Sequence, residues 1–172
     1  MDALEALYAR RSVRRYQDVP VEREKLEEIL KAAMAAPSAC NKQPWEFVVV
    51  DEPERMEAVR ACMPYGKFNA PAAIIVCGNL EREVRVYPNA RDFWIEDTSA
   101  AMQCALTAAT ALQLGSIWLG VYPVESIVRE LSEVLELPKT VVPMGVALIG
   151  YADEQIPKRS QYNEHYVHWQ KW

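Results

Sequence analysis

Arg10, Arg11, Arg14 and Arg15 fall within six residues, with Ser12 among them, in a chain of 172 residues whose formal charge is −5. Guanidinium forks grip phosphate oxygens two at a time, and a serine hydroxyl adds a short donor, so this cluster could hold a phosphate. The same residues could also be a solvated helix end, with cations facing the negative pole of the macrodipole, the more common case for such a run. Spacing leaves both readings open. The glycines narrow the phosphate reading: the six present, at 66, 78, 115, 120, 145 and 150, build neither GxGxxG nor GxxxxGK[ST]. A phosphate cradled by backbone amides is therefore disfavoured, and side chains would have to hold it.

A second stretch with chemical capacity is PSACNKQPW, residues 37–45. A loop needs only turn formers, yet Asn41 and Gln43 add amides with both donors and acceptors, which could read the edge of a heterocycle. In the other reading Ser38 and Asn41 only satisfy turn backbone. Other constellations are weak. The two histidines, His165 and His168, make HxxH with no third ligand nearby, which favours tail packing over a metal site. No Ser-His-Asp or Cys-His arrangement is evident. Cys40, Cys62, Cys77 and Cys104 show no CxxC pairing and read as free thiols of a reducing compartment, with Cys40 a passive small residue. Trp94 and Trp118 read as core residues, either of which could border a pocket.

Hydrophobic periodicity supplies the elements that must carry these residues. Asp2 can cap a helix to about Arg11, with Leu4, Leu7 and Tyr8 on one face. Pro20 opens a second helix over residues 21–35, stopped by Pro37. Residues 47–50 read as a buried strand, 53–62 as a short helix, and 72–77 as another strand closed by Gly78 and Asn79. Residues 92–114 form a long Ala-rich helix, apolar almost all round and ended by Gly115, suited to the centre of the fold or to a subunit interface. Residues 116–122 are short and apolar, 125–135 amphipathic and helical, and 141–151 a further strand candidate. The last twenty residues carry Tyr162, Tyr166, Trp169 and Trp172, rings that the tail cannot bury on itself.

Helices interleaved with three or four strands, without repeats, give an α+β or three-layer α/β domain, expected to be one domain over residues 1–172. The acidic balance argues against a nucleic-acid partner. The charged, amphipathic start does not resemble a secretory signal, and no apolar run reaches the ~18 residues of a membrane span, so a cytoplasmic protein with no membrane partner is expected. The aromatic tail and the over-apolar helix point to a homodimer.

Arg10-Arg11-Ser12-Val13-Arg14, then APSACNKQPWEF, then GSIWLG at 115–120 after the long helix, then a late basic residue occur in that order. In this order the chain resembles the FMN-dependent nitroreductase family in its short form, over nearly its whole length. The resemblance implies a central mixed β-sheet flanked by helices, in an intertwined homodimer with two FMN sites at the interface. Arg10, Ser12 and Arg14, with Arg11, would hold the phosphate or ribityl chain, and Arg159 would complete that site. Pro37, Ser38, Ala39 and Asn41, with Gln43, would meet the flavin from the other subunit. Leu119 and Gly120 would lie beside the isoalloxazine. Ala39 stands where many relatives have a second serine, and position 40 is Cys.

The implied activity is that of an NAD(P)H oxidoreductase: hydride passes from NADH or NADPH to N5 of FMN, then to a nitroaromatic, quinone or similar acceptor, and no side chain is assigned a catalytic role. The alternatives are a flavin reductase, enone reductase or dehalogenase on the same fold, a non-catalytic flavin-binding module, or a structural dimer whose arginines meet a protein carboxylate. Residues 63–69 and 81–93 match no firm pattern and are where a substrate pocket is expected.

Overall fold

The computed structural model describes residues 1–84, 92–157 and 161–172. Its elements run α1 (Ala3–Ala9), α2 (Arg23–Met34), β1 (Trp45–Val50), α3 (Pro53–Ala61), β2 (Ala72–Asn79), α4 (Phe93–Ala111), β3 (Gly115–Gly120), α5 (Glu125–Val134) and β4 (Val141–Gly150). Single 3-10 turns occupy Ala39–Asn41 and Glu164–Tyr166.

Helix α1 starts where expected, on a capping box: the Asp2 side chain accepts from Glu5 N–H and the Glu5 side chain accepts from Asp2 N–H. It stops at Ala9, two residues short of the expected end, because Arg10 turns to φ −56, ψ 128. The arginines therefore leave the helix and run extended. Of α1 only Ala6 is buried, while Leu4, Leu7 and Tyr8 stay exposed on this chain. Helix α2 buries Leu26, Ile29 and Ala33, a spacing that returns each to the same face.

The strands form one sheet in the order β1-β2-β4-β3, with every neighbouring pair antiparallel. The sheet is therefore antiparallel and not mixed as expected; the one parallel contact among the described residues is an isolated bridge, Ser12 to Ser116, which lays the arginine segment along the outer edge of β3. Strand β2 runs two residues past its expected end, because Gly78 and Asn79 remain paired with Val142 and Val141. Pro143 is tolerated in β4 opposite a register shift between Val76 and Cys77, where the ladder is already broken.

Side-chain alternation along the sheet builds the layers. Ile74, Val76, Ala147 and Ile149 pack with Leu26 and Ile29 of α2 and with Ala101, Met102 and Ala105 of α4. Ile75, Val146 and Leu148 face the other way, onto Met56 and Val59 of α3 and Ile127 and Leu131 of α5. The result is the α/β/α sandwich that the pattern of elements called for. Removing such apolar side chains from water contributes roughly 1.5–3 kcal/mol each.

Helix α4 ends three residues before the expected boundary, and Gly115 is not its cap. Gln113 makes the turn at φ 63, and Leu114 N–H reaches back to the Ala109 carbonyl at 2.8 Å. Gly115 instead opens β3, where a Cβ would stand 2.8 Å from Val13 Cγ2. The absent side chain is what lets the arginine segment lie against the strand. Among the described residues no helix is long and apolar enough to cross a membrane.

Candidate functional site

The extended segment that carries the arginines is fixed by its backbone. Val13 N–H donates to the Ser116 carbonyl at 3.0 Å, Gln17 N–H to the Tyr151 carbonyl at 2.8 Å, and Asp153 N–H to the Arg15 carbonyl at 2.9 Å. Asn69 clasps Tyr16 from both sides: its Oδ1 accepts from Tyr16 N–H at 3.0 Å and its Nδ2 donates to the Tyr16 carbonyl at 2.6 Å. The buried Tyr16 hydroxyl donates to the Val13 carbonyl at 2.8 Å, and burial, helped by Glu154, pushes the phenol well above its ordinary pKa. Glu154 Oε1 accepts from the backbone N–H groups of both Arg14 and Arg15, and these two bonds hold its carboxyl below the usual range.

This arrangement bears directly on the charge cluster. Glu154, the acid nearest at hand, spends its oxygen on backbone amides. Arg15 pairs with Asp153, at 3.3 Å. Arg14 donates only to the Ser12 carbonyl, at 3.3 Å, and among the described residues Arg10, Arg11 and Arg14 have no carboxylate partner. Among the described residues, then, the reading in which a protein carboxylate pairs directly with the cluster holds for Arg15 alone, with Glu154 close enough to attract Arg14.

In an extended chain successive side chains point to opposite sides, and the segment obeys this. Arg14 lines a crevice of about 320 Å³ whose walls are Met63, Pro64, Tyr65 and Phe68 on one side and Trp118, Leu119 and Gly120 on the other. Arg11 and Val13 face a separate crevice of about 170 Å³ beside Gly115 and Glu154. The two crevices set Arg11 apart from Arg14, and neither is lined by Arg10 or Ser12. Gly66, at φ +87, sits in the first crevice wall, and a Cβ there would come within 2.7 Å of Leu119 Cδ2. A larger hollow of about 410 Å³ beside β1 and Arg55 holds none of the expected residues, so size does not mark the site.

Of the two stretches expected to form a substrate pocket, only the first borders this crevice among the described residues. Met63, Pro64, Tyr65, Gly66 and Phe68 line it, whereas none of residues 81–84, 92 and 93 does; residues 85–91 lie outside the described residues. Trp118 is half-buried and borders the crevice, while Trp94 is core, its ring edge-on to Tyr122 at 4.9 Å. Arg159 also lies outside the described residues. His168 stacks on Trp172 at 4.1 Å, and no cluster able to hold a metal occurs among the described residues.

The amide loop is built differently. Cys40, Asn41 and Gln43 take φ values of 49, 53 and 48, left-handed backbone for three side-chain-bearing residues. Ser38 Oγ accepts from Gln43 N–H at 2.9 Å, and its carbonyl accepts from Asn41 N–H at 2.9 Å, as the turn reading requires. Gln43 Nε2 donates to Asn41 Oδ1 at 3.1 Å, so the two amides orient each other. Asp97 of α4, which the sequence reading missed, reaches out of the core to accept from Ala39 N–H at 2.7 Å.

One chain does not unite the arm and the loop. Register places Trp45 opposite Gly78, Gly78 opposite Val142, and Gly120 opposite Gly145, so the loop before β1 and the end of β3 share one end of the sheet. They stand at its opposite edges, three strand spacings or about 14 Å apart. None of residues 37–43 lines the Arg14 crevice.

Fold and site together define an α+β protein with an arginine-lined, aromatic-walled crevice at one edge of a helix-covered sheet. The chain belongs to the Nitroreductase family, whose profile matches residues 7–65 and 57–151. It is 40% identical over 174 residues to a Methanothermobacter thermautotrophicus protein provisionally named NADH dehydrogenase/NAD(P)H nitroreductase, covering 100% of this chain and 88% of that one. An FMN-dependent nitroreductase from Clostridium difficile R20291 superposes with a TM-score of 0.89 at 34% identity, covering 98% of this chain and 99% of that one. A provisionally named nitroreductase from Desulfovibrio desulfuricans, solved in complex with FMN, gives 0.80 at 28% identity, covering 100% and 98%.

Proposed function

We propose that this chain is an FMN-dependent NAD(P)H oxidoreductase of the nitroreductase type, one cofactor-binding domain over residues 1–172 that works as a cytoplasmic homodimer. The observation that carries the reading is Arg14, without a carboxylate partner among the described residues, lining a crevice walled by Leu119, Gly120 and aromatic rings, with Arg10 and Arg11 of the same segment also without such partners. Apolar walls with cations at the rim suit a ring system that ends in a phosphate, and FMN fits that donor set. Relatives named for FMN and for NAD(P)H support the assignment.

In this reading Arg10, Ser12 and Arg14 hold the phosphate and ribityl chain, with Arg11 adding charge from the side and Arg159 completing the phosphate site. The Leu119–Gly120 backbone lies along the ring, and Trp118, Tyr65 and Phe68 leave room for a planar donor or acceptor. Pro37, Ser38, Ala39, Asn41 and Gln43 of a second copy read the ring edge, since the same residues of one chain stand a sheet's width away. The redox chemistry that bound FMN supplies is acceptance of a hydride from NADH or NADPH and its delivery, in a second half-reaction, to a nitroaromatic, quinone or similar acceptor. The protein orients both reactants in turn and keeps positive charge at the site.

Exposed Leu4, Leu7 and Tyr8 on α1, with Tyr166, Trp169 and Trp172 in the tail, supply apolar surface for the second copy. Unpaired Cys40, Cys62, Cys77 and Cys104 suit a reducing compartment.

The test is reconstitution of purified chain with FMN, followed by stopped-flow mixing with NADH and NADPH and an acceptor screen. Uptake of FMN and bleaching of its absorption by a nicotinamide are expected. A chain that takes up no FMN sinks the proposal; FMN uptake with no bleaching by either donor would leave a flavin-binding module.

A further inference from the structure

Asp97 lies in the second turn of α4, 5% exposed, among Trp94, Thr98, Ala101 and Met102. Its Oδ1 accepts from Ala39 N–H at 2.7 Å, while Oδ2 is shut away from solvent with no partner among the described residues. Burial pushes the carboxyl above its ordinary pKa, with Glu96 and Glu83 acting in the same direction and the Ala39 bond against it. A buried acid with half its hydrogen-bonding capacity unfilled costs stability, and an apolar residue of similar size would avoid that cost. Packing alone does not account for an aspartate here.

The loop that Asp97 reaches needs an anchor. Its left-handed residues Cys40, Asn41 and Gln43 hold a conformation that persists only where surrounding structure over-determines it. The hydrogen bonds of Ser38 close the turn on itself. The Asp97–Ala39 bond ties that turn to the longest helix in the core.

We propose that Asp97 is the positioning residue of the 37–43 loop, its buried carboxylate costing stability but fixing the direction in which Ser38, Ala39 and Asn41 present polar groups to FMN. This rests on the reading that the loop meets FMN. Asp97 itself touches neither cofactor nor substrate; it acts through the Ala39 amide.

Three variants test it: Asp97→Leu, which removes the acceptor at similar size, Asp97→Ala as a second removal, and Asp97→Asn, which keeps an acceptor oxygen. FMN dissociation constants, the absorption spectrum of bound FMN, apoprotein melting temperature and amide exchange at residues 38–43 are measured on each. The leucine and alanine variants should bind FMN about tenfold or more weakly, the loss of roughly one charge-assisted hydrogen bond, with faster exchange at Ala39. The leucine variant should melt no lower than the native apoprotein, and the asparagine variant should stay within about threefold in affinity with a native spectrum. If both removals bind FMN as tightly as the native chain, or the asparagine variant loses as much as they do, the proposal fails. It also fails if affinity falls only in step with melting temperature across the set. A native chain that takes up no FMN sinks the flavin reading and this proposal with it, whereas native binding with indifferent Asp97 variants sinks the proposal alone.

Discussion

The arginine arm is bridged at the Gly115–Gly150 end of the sheet and the amide loop precedes β1 at the other end, and the chain holds the two by opposite means. The arm's backbone is locked along β3 by Ser116, Asn69, Tyr151 and Glu154, and of its guanidinium groups only that of Arg15 pairs with a carboxylate among the described residues. The loop's backbone is strained, closed mostly on itself, and tied to the core through Ala39 and Asp97. An anion holder needs free charge on a rigid frame, whereas a group that reads a ring edge needs its amides turned to defined directions. The first is met by many ordinary hydrogen bonds, the second by backbone that few residues adopt.

The comparison is broken or made by asking whether the two regions serve one site from two chains. A chain with Arg14→Glu and a chain with Ser38, Asn41 and Gln43 all changed to alanine should each lose FMN as homodimers. Unfolded together and refolded at equal amounts, they should recover about a quarter of the native FMN content, because half the dimers are mixed and each has one intact pairing of arm and loop. Recovery of nothing would place both regions in a single-chain site and sink the dimeric reading. Taken alone, Arg14→Glu should weaken FMN binding on the order of 100-fold, since it replaces a charge-assisted phosphate contact by repulsion. Its apoprotein should melt as the native does, because the exposed side chain bonds only the Ser12 carbonyl.

A third change probes the crevice wall between them. Gly66→Ala forces a side chain onto backbone at φ +87 and pushes it against Leu119. A destabilisation of about 1–2 kcal/mol is expected from the strain, read as a lower melting temperature of the apoprotein. Altered acceptor turnover should accompany it, because Leu119 is the neighbour with room to give. An unchanged melting temperature would show that the wall relaxes freely.

What the sequence could disclose follows the same division. Helix and strand identity came from local periodicity, and the arginines and amides were visible because chemistry clusters along the chain in both stretches. The supports were not visible, because they come from far away: Asn69 and Glu154 reach the arm across 53 and 140 residues. Asp97 was hidden differently. Beside Glu96 at the start of a helix it looks like a solvated acid favouring the positive helix end, and only the packing of the loop onto α4 buries it. The helix ends were misjudged for a related reason, since Gly115 is small in order to admit Val13 and not to end a helix. Arg11 illustrates the limit of clustering, because adjacency in an extended segment puts neighbours on opposite faces.

The smallest effect concerns how the arm is held. Glu154 has its pKa lowered by the amide bonds from Arg14 and Arg15, so its contribution to stability is fully present above the ordinary glutamate value of 4.5 and is lost as pH falls through the lower folded value. Glu154→Gln keeps an oxygen for both amides but carries no charge to titrate. The native chain should therefore melt slightly above the variant at neutral pH, and the gap should close as pH drops below 4.5. A gap that stays constant through that window would mean the amide bonds owe nothing to the carboxylate charge. No comparable acid window attaches to the loop's anchor, because burial shifts Asp97 in the opposite direction. The melting gap between the native chain and Asp97→Asn should then run the other way across the acid range, and that opposition of sign separates a charge held at the surface from an acid held in the core.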